Sequence, residues 1–202
     1  MLIKDFNYSP YNVKTIVHVG ANVGEELDFY YNLGAKEVHF FEPRDEPQKE
    51  LFENCKRYEE NMEISLYKAG LGSKTEEKIM YEGGQSSSFI EPKLHLTYYP
   101  GVTFKKHKTY NIYRADEIFA KDLKIDMVNL DVQGFELEVL KGFGSLLDST
   151  KLIYSEINTA ELYSGCVLIE QLDEFLLAFG FKRVETVMES FYNWGDAIYV
   201  KQ

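Results

Sequence analysis

Five short stretches set small or polar residues against the end of an apolar run. They are Gly20-Ala21-Asn22-Val23-Gly24, Glu42-Pro43, Ala69-Gly70-Leu71, Asp131-Val132-Gln133-Gly134 and Glu156-Ile157-Asn158. In the first, "TIVHVGANVGEE" (15–26), the glycines let the backbone turn sharply and approach a ligand closely. A helix opening near Gly24 would offer that ligand its free N–H groups. A dinucleotide site would read GxGxxG, with the pyrophosphate on those donors. Here Asn22 replaces the second glycine and Glu25 the third. A carboxylate at the mouth of the helix repels a pyrophosphate and favours a cation. The loop therefore suits a nucleoside carrying an amine or a sulfonium better than a dinucleotide. A tight strand-to-helix turn capped by Asn22 is the purely structural alternative.

Glu42 follows the glycine turn by about 20 residues, the spacing at which an acid accepts hydrogen bonds from two ribose hydroxyls. Pro43 fixes the exit of the chain and holds that carboxylate in place. Farther on, Asn129 and Asp131 alternate with Leu130 and could face one side of a sheet. Asp131 ends the most apolar run, where an acid is costly unless paired. It could meet the amine of an amino-acid ligand or take part in the chemistry. Gly134 permits a close turn. Glu136 falls in a first helical turn, where the dipole favours an acid with no ligand required. The candidate proton acceptors are Asp131, Glu136 and Glu156 at strand ends, with His95 and His107 from the middle of the chain.

The elements that must position these residues alternate. Strand-like runs at 15–19, 37–42, 62–70, 125–132 and 151–157 are separated by helical patterns. In "GEELDFYYNLG" residues Leu27, Tyr30, Tyr31 and Leu33 can share a face that ends at Gly34. In "EPQKELFENCKRYE" Leu51, Phe52, Cys55 and Tyr58 do the same. "ADEIFAKDL" reads as a short helix, "GFELEVLKGFGSLL" as an amphipathic one, and "VLIEQLDEFLLAFG" as a helix stopped by Gly180. The alternation implies an α/β fold with a mostly parallel sheet, helices on both faces and ligands at the carboxyl ends of the strands. Residues 72–113 break the order and read as one or two extra strands around a Gly/Ser-rich loop. Runs at 181–188 and 196–201 flank "FYNWG" as an antiparallel pair. The whole chain, 1–202, reads as a single domain.

Composition narrows the partners. The chain has 202 residues, enough to bury one core, and a net charge of −11, the wrong sign for nucleic acid or an anionic membrane surface. "FKKHK" (104–108) is the one dense basic stretch, readable as a cationic patch or as a solvated loop or edge. Cys55 and Cys166 are far apart, lack zinc spacing and are expected reduced, in helices. No signal-like core opens the chain and no run is long enough to span a bilayer. A soluble, cytoplasmic protein without a required metal is expected.

The anchors, in this order, resemble the FkbM family of S-adenosylmethionine-dependent methyltransferases. The residues that carry the resemblance are "VHVGANVG" (17–24), "FFEP" (40–43), "AGLG" (69–72), "SSS" (86–88), "ADEI" (115–118), "LDVQGFELEVLKG" (130–142) and "SEIN" (155–158). The resemblance implies the Rossmann-like class I methyltransferase fold: a seven-stranded, mostly parallel sheet with an antiparallel last strand. It implies methyl transfer to a hydroxyl of a sugar, glycan or other small molecule, with S-adenosyl-L-methionine as cofactor. Gly20, Ala21, Asn22 and Gly24 would then line the methionine part, Glu42 and Pro43 the ribose, Gly70 and Leu71 the adenine. Asp131 would face the methionine amine or the substrate. Two positions depart from the family: His18 stands where an Asp is usual, and Gln133 where a Glu is usual. His18 could still bond the cofactor's amino-acid end, whereas Gln133 cannot be a general base. Of the candidate bases, Asp131 is favoured. Gly83, Gly84 and the serines could cover the site, with Tyr98 and Tyr99 as stacking surfaces. A Rossmann-type NAD or nucleotide-sugar domain, or a cofactor-binding protein without catalysis, are the alternatives.

Overall fold

The computed structural model describes residues 6–104, 106–189 and 191–202. Its elements follow the apolar runs: β1 (Thr15–Val19), α1 (Leu27–Leu33), β2 (Glu37–Phe41), α2 (Asp45–Cys55) and β3 (Glu63–Tyr67). An insertion follows, with β4 (Gly70–Leu71), β5 (Glu76–Glu82), α3 (His95–Tyr98) and β6 (Lys106–Tyr113). The chain then continues through α4 (Ala115–Ile118), β7 (Met127–Leu130), α5 (Glu136–Phe143), β8 (Leu152–Asn158), α6 (Ile169–Ala178), β9 (Phe181–Met188) and β10 (Trp194–Lys201).

Seven strands form one sheet in the order β3-β2-β1-β7-β8-β10-β9, and the insertion forms a second sheet, β4-β6-β5. In the large sheet every pairing is parallel except those of β10, which runs antiparallel to both β8 and β9. Side chains alternate across the pleat, so each strand feeds two cores. Val17, Val19, Val128, Leu130 and Ile153 pack with Val139, Leu140 and Phe143 of α5 and with Leu172 and Leu176 of α6. Ile16, Val38, Phe40, Met127 and Leu152 pack with Leu27 and Tyr30 of α1 and with Leu51 and Cys55 of α2. All four residues of β7 are buried because helices cover both faces of the central strands. The order reverses between β1 and β7, and the gap above that reversal is where an open α/β sheet holds ligands.

Several local expectations change. α1 begins at Leu27 rather than near Gly24, because a turn closed by Leu27 N donating to the Gly24 carbonyl (3.1 Å) intervenes. Tyr31 and Phe52 point into solvent rather than to the core. "ADEIFAKDL" is helical only over Ala115–Ile118. Both cysteines are free and buried, but Cys166 lies in a loop, not a helix. Within the basic stretch, Lys105 lies outside the described residues, while Lys108 pairs with Asp45 and lies over the Tyr110 ring. Among the described residues no helix is long and apolar enough to cross a membrane.

Candidate active site

A cavity of about 650 Å³ opens at the carboxyl ends of β1, β2, β7 and β8, roofed by residues 85–89 of the insertion. The register of the parallel strands brings the ends of the sequence motifs together. His18, Gly20, Ala21, Asn22, Glu42, Pro43, Gly70, Leu71, Asp131 and Glu156 all line it. Gly24 and Glu136 do not.

The glycine loop works differently at its two ends. Gly20 has φ +84° and sits against the end of β7, where Asp131 N donates to the Val19 carbonyl (3.0 Å). Gly24 has φ +80°, but a Cβ there would meet the side chains of Leu51 (2.7 Å) and Leu27 (2.8 Å). Its smallness serves the seating of α1 and α2. Asn22 occupies the left-handed region at φ +46°, which asparagine tolerates better than most residues. Its N–H donates to Glu42 Oε2 (3.0 Å) and its side-chain amide donates to Glu25 (3.0 Å).

His18 is buried, and burial pulls its pKa down to about 3, so the ring is neutral. Its 3.9 Å approach to Glu26 is therefore not an ion pair. The Tyr30 hydroxyl accepts from Asn129 Nδ2 (2.6 Å) and is hydrogen-bonded to His18 Nδ1 (3.2 Å). His18 Nδ1 and the Tyr30 hydroxyl are thus hydrogen-bond partners, which fixes the orientation of the ring.

The far side of the cavity is acidic. Gln133, at φ +54°, donates through Nε2 to both Asp131 Oδ1 (2.9 Å) and Glu156 Oε2 (2.6 Å), and its own oxygen accepts from the Tyr163 hydroxyl (2.9 Å). Asp196 on β10 stands directly opposite Glu156 in the ladder and bonds Tyr154. Asp131 is open to water in the cavity, yet protein surrounds that recess. Loss of bulk solvent, then the charges of Asp196 and Glu25, push its pKa up to about 6. Glu156 is buried and is raised well above the usual carboxylate value, by burial and then by Asp131, Glu136 and Asp196. Glu136 is fully buried and raised to about 7, first by burial. Its Oε1 accepts from Gly134 N (3.0 Å) and Val132 N (3.3 Å), so it folds back to hold the 132–134 turn.

These acids bind protons more tightly in the folded than in the unfolded chain. The stability this contributes is complete below about pH 4; the share of Asp131 and Glu136 is lost as pH rises through 6–7, and that of Glu156 is lost in the same direction. Glu156→Gln removes one such charge while keeping an acceptor for Gln133. The unliganded variant should melt on the order of 3 °C above the parent at pH 8, the effect of about 1 kcal/mol in a chain of this size, and level with it at pH 4. Calorimetric melting at the two pH values checks this; an equal shift at both would remove the ionisation as the cause.

The other candidates divide. His95 lines the cavity, buried among Tyr99, Phe104 and Tyr163, with Nδ1 unbonded. His107 is not brought there; it packs on Tyr81. Tyr99 lines the wall, stacked on Tyr192, and accepts from Trp194 Nε1 (2.7 Å), while the Tyr98 hydroxyl is taken by Asn193. Sequence reasoning missed Arg44, Tyr154, Trp194 and Asp196. Asp196 carried the same signal as Asp131, an acid in an apolar strand, and Arg44 follows directly on Glu42-Pro43.

The strand order with its single antiparallel member, and a cavity above the reversal, define the class I S-adenosylmethionine-dependent methyltransferase fold. Solved methyltransferase structures share it. The methyltransferase FkbM from Methylobacillus flagellatus KT overlays with a TM-score of 0.64 at 16% identity, covering 94% of this chain and 44% of that one. The magnesium protoporphyrin IX methyltransferase (ChlM) from Synechocystis PCC 6803, with bound SAM, gives 0.53 at 10% identity, covering 96% and 73%. Residues 18–183 match the methyltransferase FkbM domain, and the chain belongs to that family. A curated relative, the 2-O-methyltransferase NoeI of Sinorhizobium fredii, is 32% identical over 96 residues. That match covers 46% of this chain and 40% of the relative's length.

Proposed function

We propose that the chain is an S-adenosylmethionine-dependent O-methyltransferase whose acceptor is a hydroxyl of a sugar, glycan or other small molecule, and that residues 1–202 act as one methyltransferase domain. The observation that carries this is the meeting, in one cavity, of the small backbone at 20–22, the Glu42 carboxylate and the Asp131–Gln133–Glu156 cluster. The name of the curated relative supports oxygen as the target. The net charge of −11 supports an acceptor that is not a polyanion. Two free cysteines fit a reducing compartment such as the cytoplasm.

In this reading S-adenosylmethionine supplies an electrophilic methyl group for in-line displacement, and the protein's task is alignment. Glu42 would hold the ribose diol, and Leu71, Met80, Phe89 and Phe135, which line the cavity, would hold the adenine. His18 would face the methionine carboxylate, and Asp131 the ammonium. One acid cannot neutralise that ammonium and also take the acceptor's proton, and the cluster supplies two. Glu156, held by Gln133 one strand farther out, is the base for an acceptor seated against Tyr99 and Trp194. The positive charge of the cofactor favours the ionised forms of both acids.

It follows that cofactor binding releases protons. S-adenosylmethionine should bind more tightly as pH rises from 5 to 7, several-fold in all, because Asp131 must ionise through about 6. Calorimetry in two buffers of different ionisation enthalpy reads the released protons, with NAD as the control that should not bind. A labelled-methyl screen over hydroxylated small molecules and glycans then tests catalysis. Binding of NAD in preference to S-adenosylmethionine would sink the proposal, and binding without transfer to any hydroxyl would leave a non-catalytic cofactor protein.

A further inference from the structure

Glu42 already has a full set of partners. Its Oε1 accepts from the backbone N–H of Arg44 (2.8 Å) and from Arg44 Nε (2.9 Å). Its Oε2 accepts from Asn22 N–H (3.0 Å) and from Arg44 Nη2 (3.0 Å). A carboxylate offers about four acceptor positions, and all four are filled. Two of the donors are the backbone amides of Asn22 and Arg44, in the loops that follow β1 and β2, and stay. The other two, Nε and Nη2, belong to one planar guanidinium. Their paired N–H groups meet the two carboxylate oxygens side by side, as the two hydroxyls of a vicinal diol would.

The same guanidinium reaches the roof of the cavity. Nη1 donates to the Gly84 carbonyl and approaches Ser87 Oγ (3.4 Å), and Nη2 also donates to Asn22 Oδ1 (3.1 Å). The Glu42 side chain is 2% exposed and that of Arg44 12%, so the pair is largely withdrawn from water and its bonds are worth more than those of a surface ion pair. One flexible side chain therefore joins the floor of the cavity to residues 84–87.

We propose that Arg44 occupies the diol subsite of Glu42 in the unliganded protein, and that a nucleoside with a vicinal diol must expel its guanidinium, which unlatches residues 83–88. This rests on the reading that the cofactor's ribose binds Glu42. The gain from the diol is then partly offset by the bonds it displaces, so Arg44 sets how much a ribose adds to affinity. A merely structural Arg44, one that holds Glu42 in its binding pose, leads to the opposite result on its removal.

The test compares S-adenosylhomocysteine, adenosine and 2′,3′-dideoxyadenosine by calorimetry against the parent, Arg44→Met and Arg44→Lys. Adenosine is uncharged, so a change in its affinity is not a long-range charge effect. Lysine keeps the charge but cannot present the fork. Expected is a gain of about tenfold for S-adenosylhomocysteine and adenosine in Arg44→Met, the order of one charged hydrogen bond, with a smaller gain in Arg44→Lys. Dideoxyadenosine affinity should stay unchanged. Hydrogen exchange at 83–88 in unliganded Arg44→Met should match that of the parent saturated with S-adenosylhomocysteine. Weaker or equal binding of S-adenosylhomocysteine by Arg44→Met overturns the proposal, as does an equal gain for dideoxyadenosine. If neither protein binds S-adenosylhomocysteine, the cofactor reading fails and takes the latch with it. If both bind and Arg44→Met is the weaker, only the latch is lost.

Discussion

Glu42→Ala should weaken S-adenosylmethionine and S-adenosylhomocysteine binding about 50-fold. Each diol hydroxyl on an ionised carboxylate contributes about 1.5–3 kcal/mol, and the displaced Arg44 contacts offset part of that, leaving a net loss of about 2.3 kcal/mol. The loss must follow the ribose. Adenosine should weaken by a similar factor, while 2′,3′-dideoxyadenosine, with nothing to offer the carboxylate, should not change. Glu42 also accepts from Asn22 N–H and Arg44 N–H, so its removal loosens the loops that follow β1 and β2. Glu42→Gln keeps the shape and an acceptor oxygen, and separates that loosening from the lost charge. Titration calorimetry with the three ligands, beside melting curves of the three proteins, reads both. An alanine variant that holds S-adenosylmethionine as tightly as the parent would remove the cofactor assignment.

Gly20→Ala should be the most destabilising single methyl addition at the site. The residue has φ +84°, a region that costs an L-residue about 1–2 kcal/mol. A methyl group there would also overlap the Asp131 carbonyl oxygen, a backbone atom fixed by the β1–β7 pairing. Neither strand can retreat without breaking contacts in both cores. A total near 4 kcal/mol is expected, a fall in melting temperature of roughly 10 °C for a chain of this size. Gly84→Ala is the matched control. It has φ +67° but nothing within 4 Å of the added carbon, so it should cost only the backbone part, about 1 kcal/mol. If the two variants melt together, the close approach of β1 to β7 is not what Gly20 protects.

Much of the fold was legible because strand periodicity and turn chemistry are local. The five core parallel strands, the terminal antiparallel pair and the extra strands of 72–113 were all readable from apolar runs and their punctuation. So were the strand-end residues, since a polar group stopping an apolar run marks the edge of the sheet. Errors arose where a local pattern had two physical uses. Gly24 reads as a ligand-approach glycine and serves instead as the gap into which Leu27 and Leu51 pack. Glu136 reads as an acid at a strand end and turns inward to hold its own loop. Tyr31 and Phe52 satisfy helical spacing but fall on the margin of the buried face.

By itself the sequence determined which residues stand at the carboxyl ends of the strands, and hence the small backbone at 20–22, the acid at 42 and the acid at 131. Neighbouring residues alone fix these features. The tertiary structure decided who meets whom. Strand order put β1 beside β7, the antiparallel register of β10 set Asp196 against Glu156, and the insertion brought Gly84 and Ser87 within reach of Arg44. Those contacts join residues far apart in the chain, and their energies depend on burial and on neighbouring charge. Both exist only once the sheet has closed its two cores.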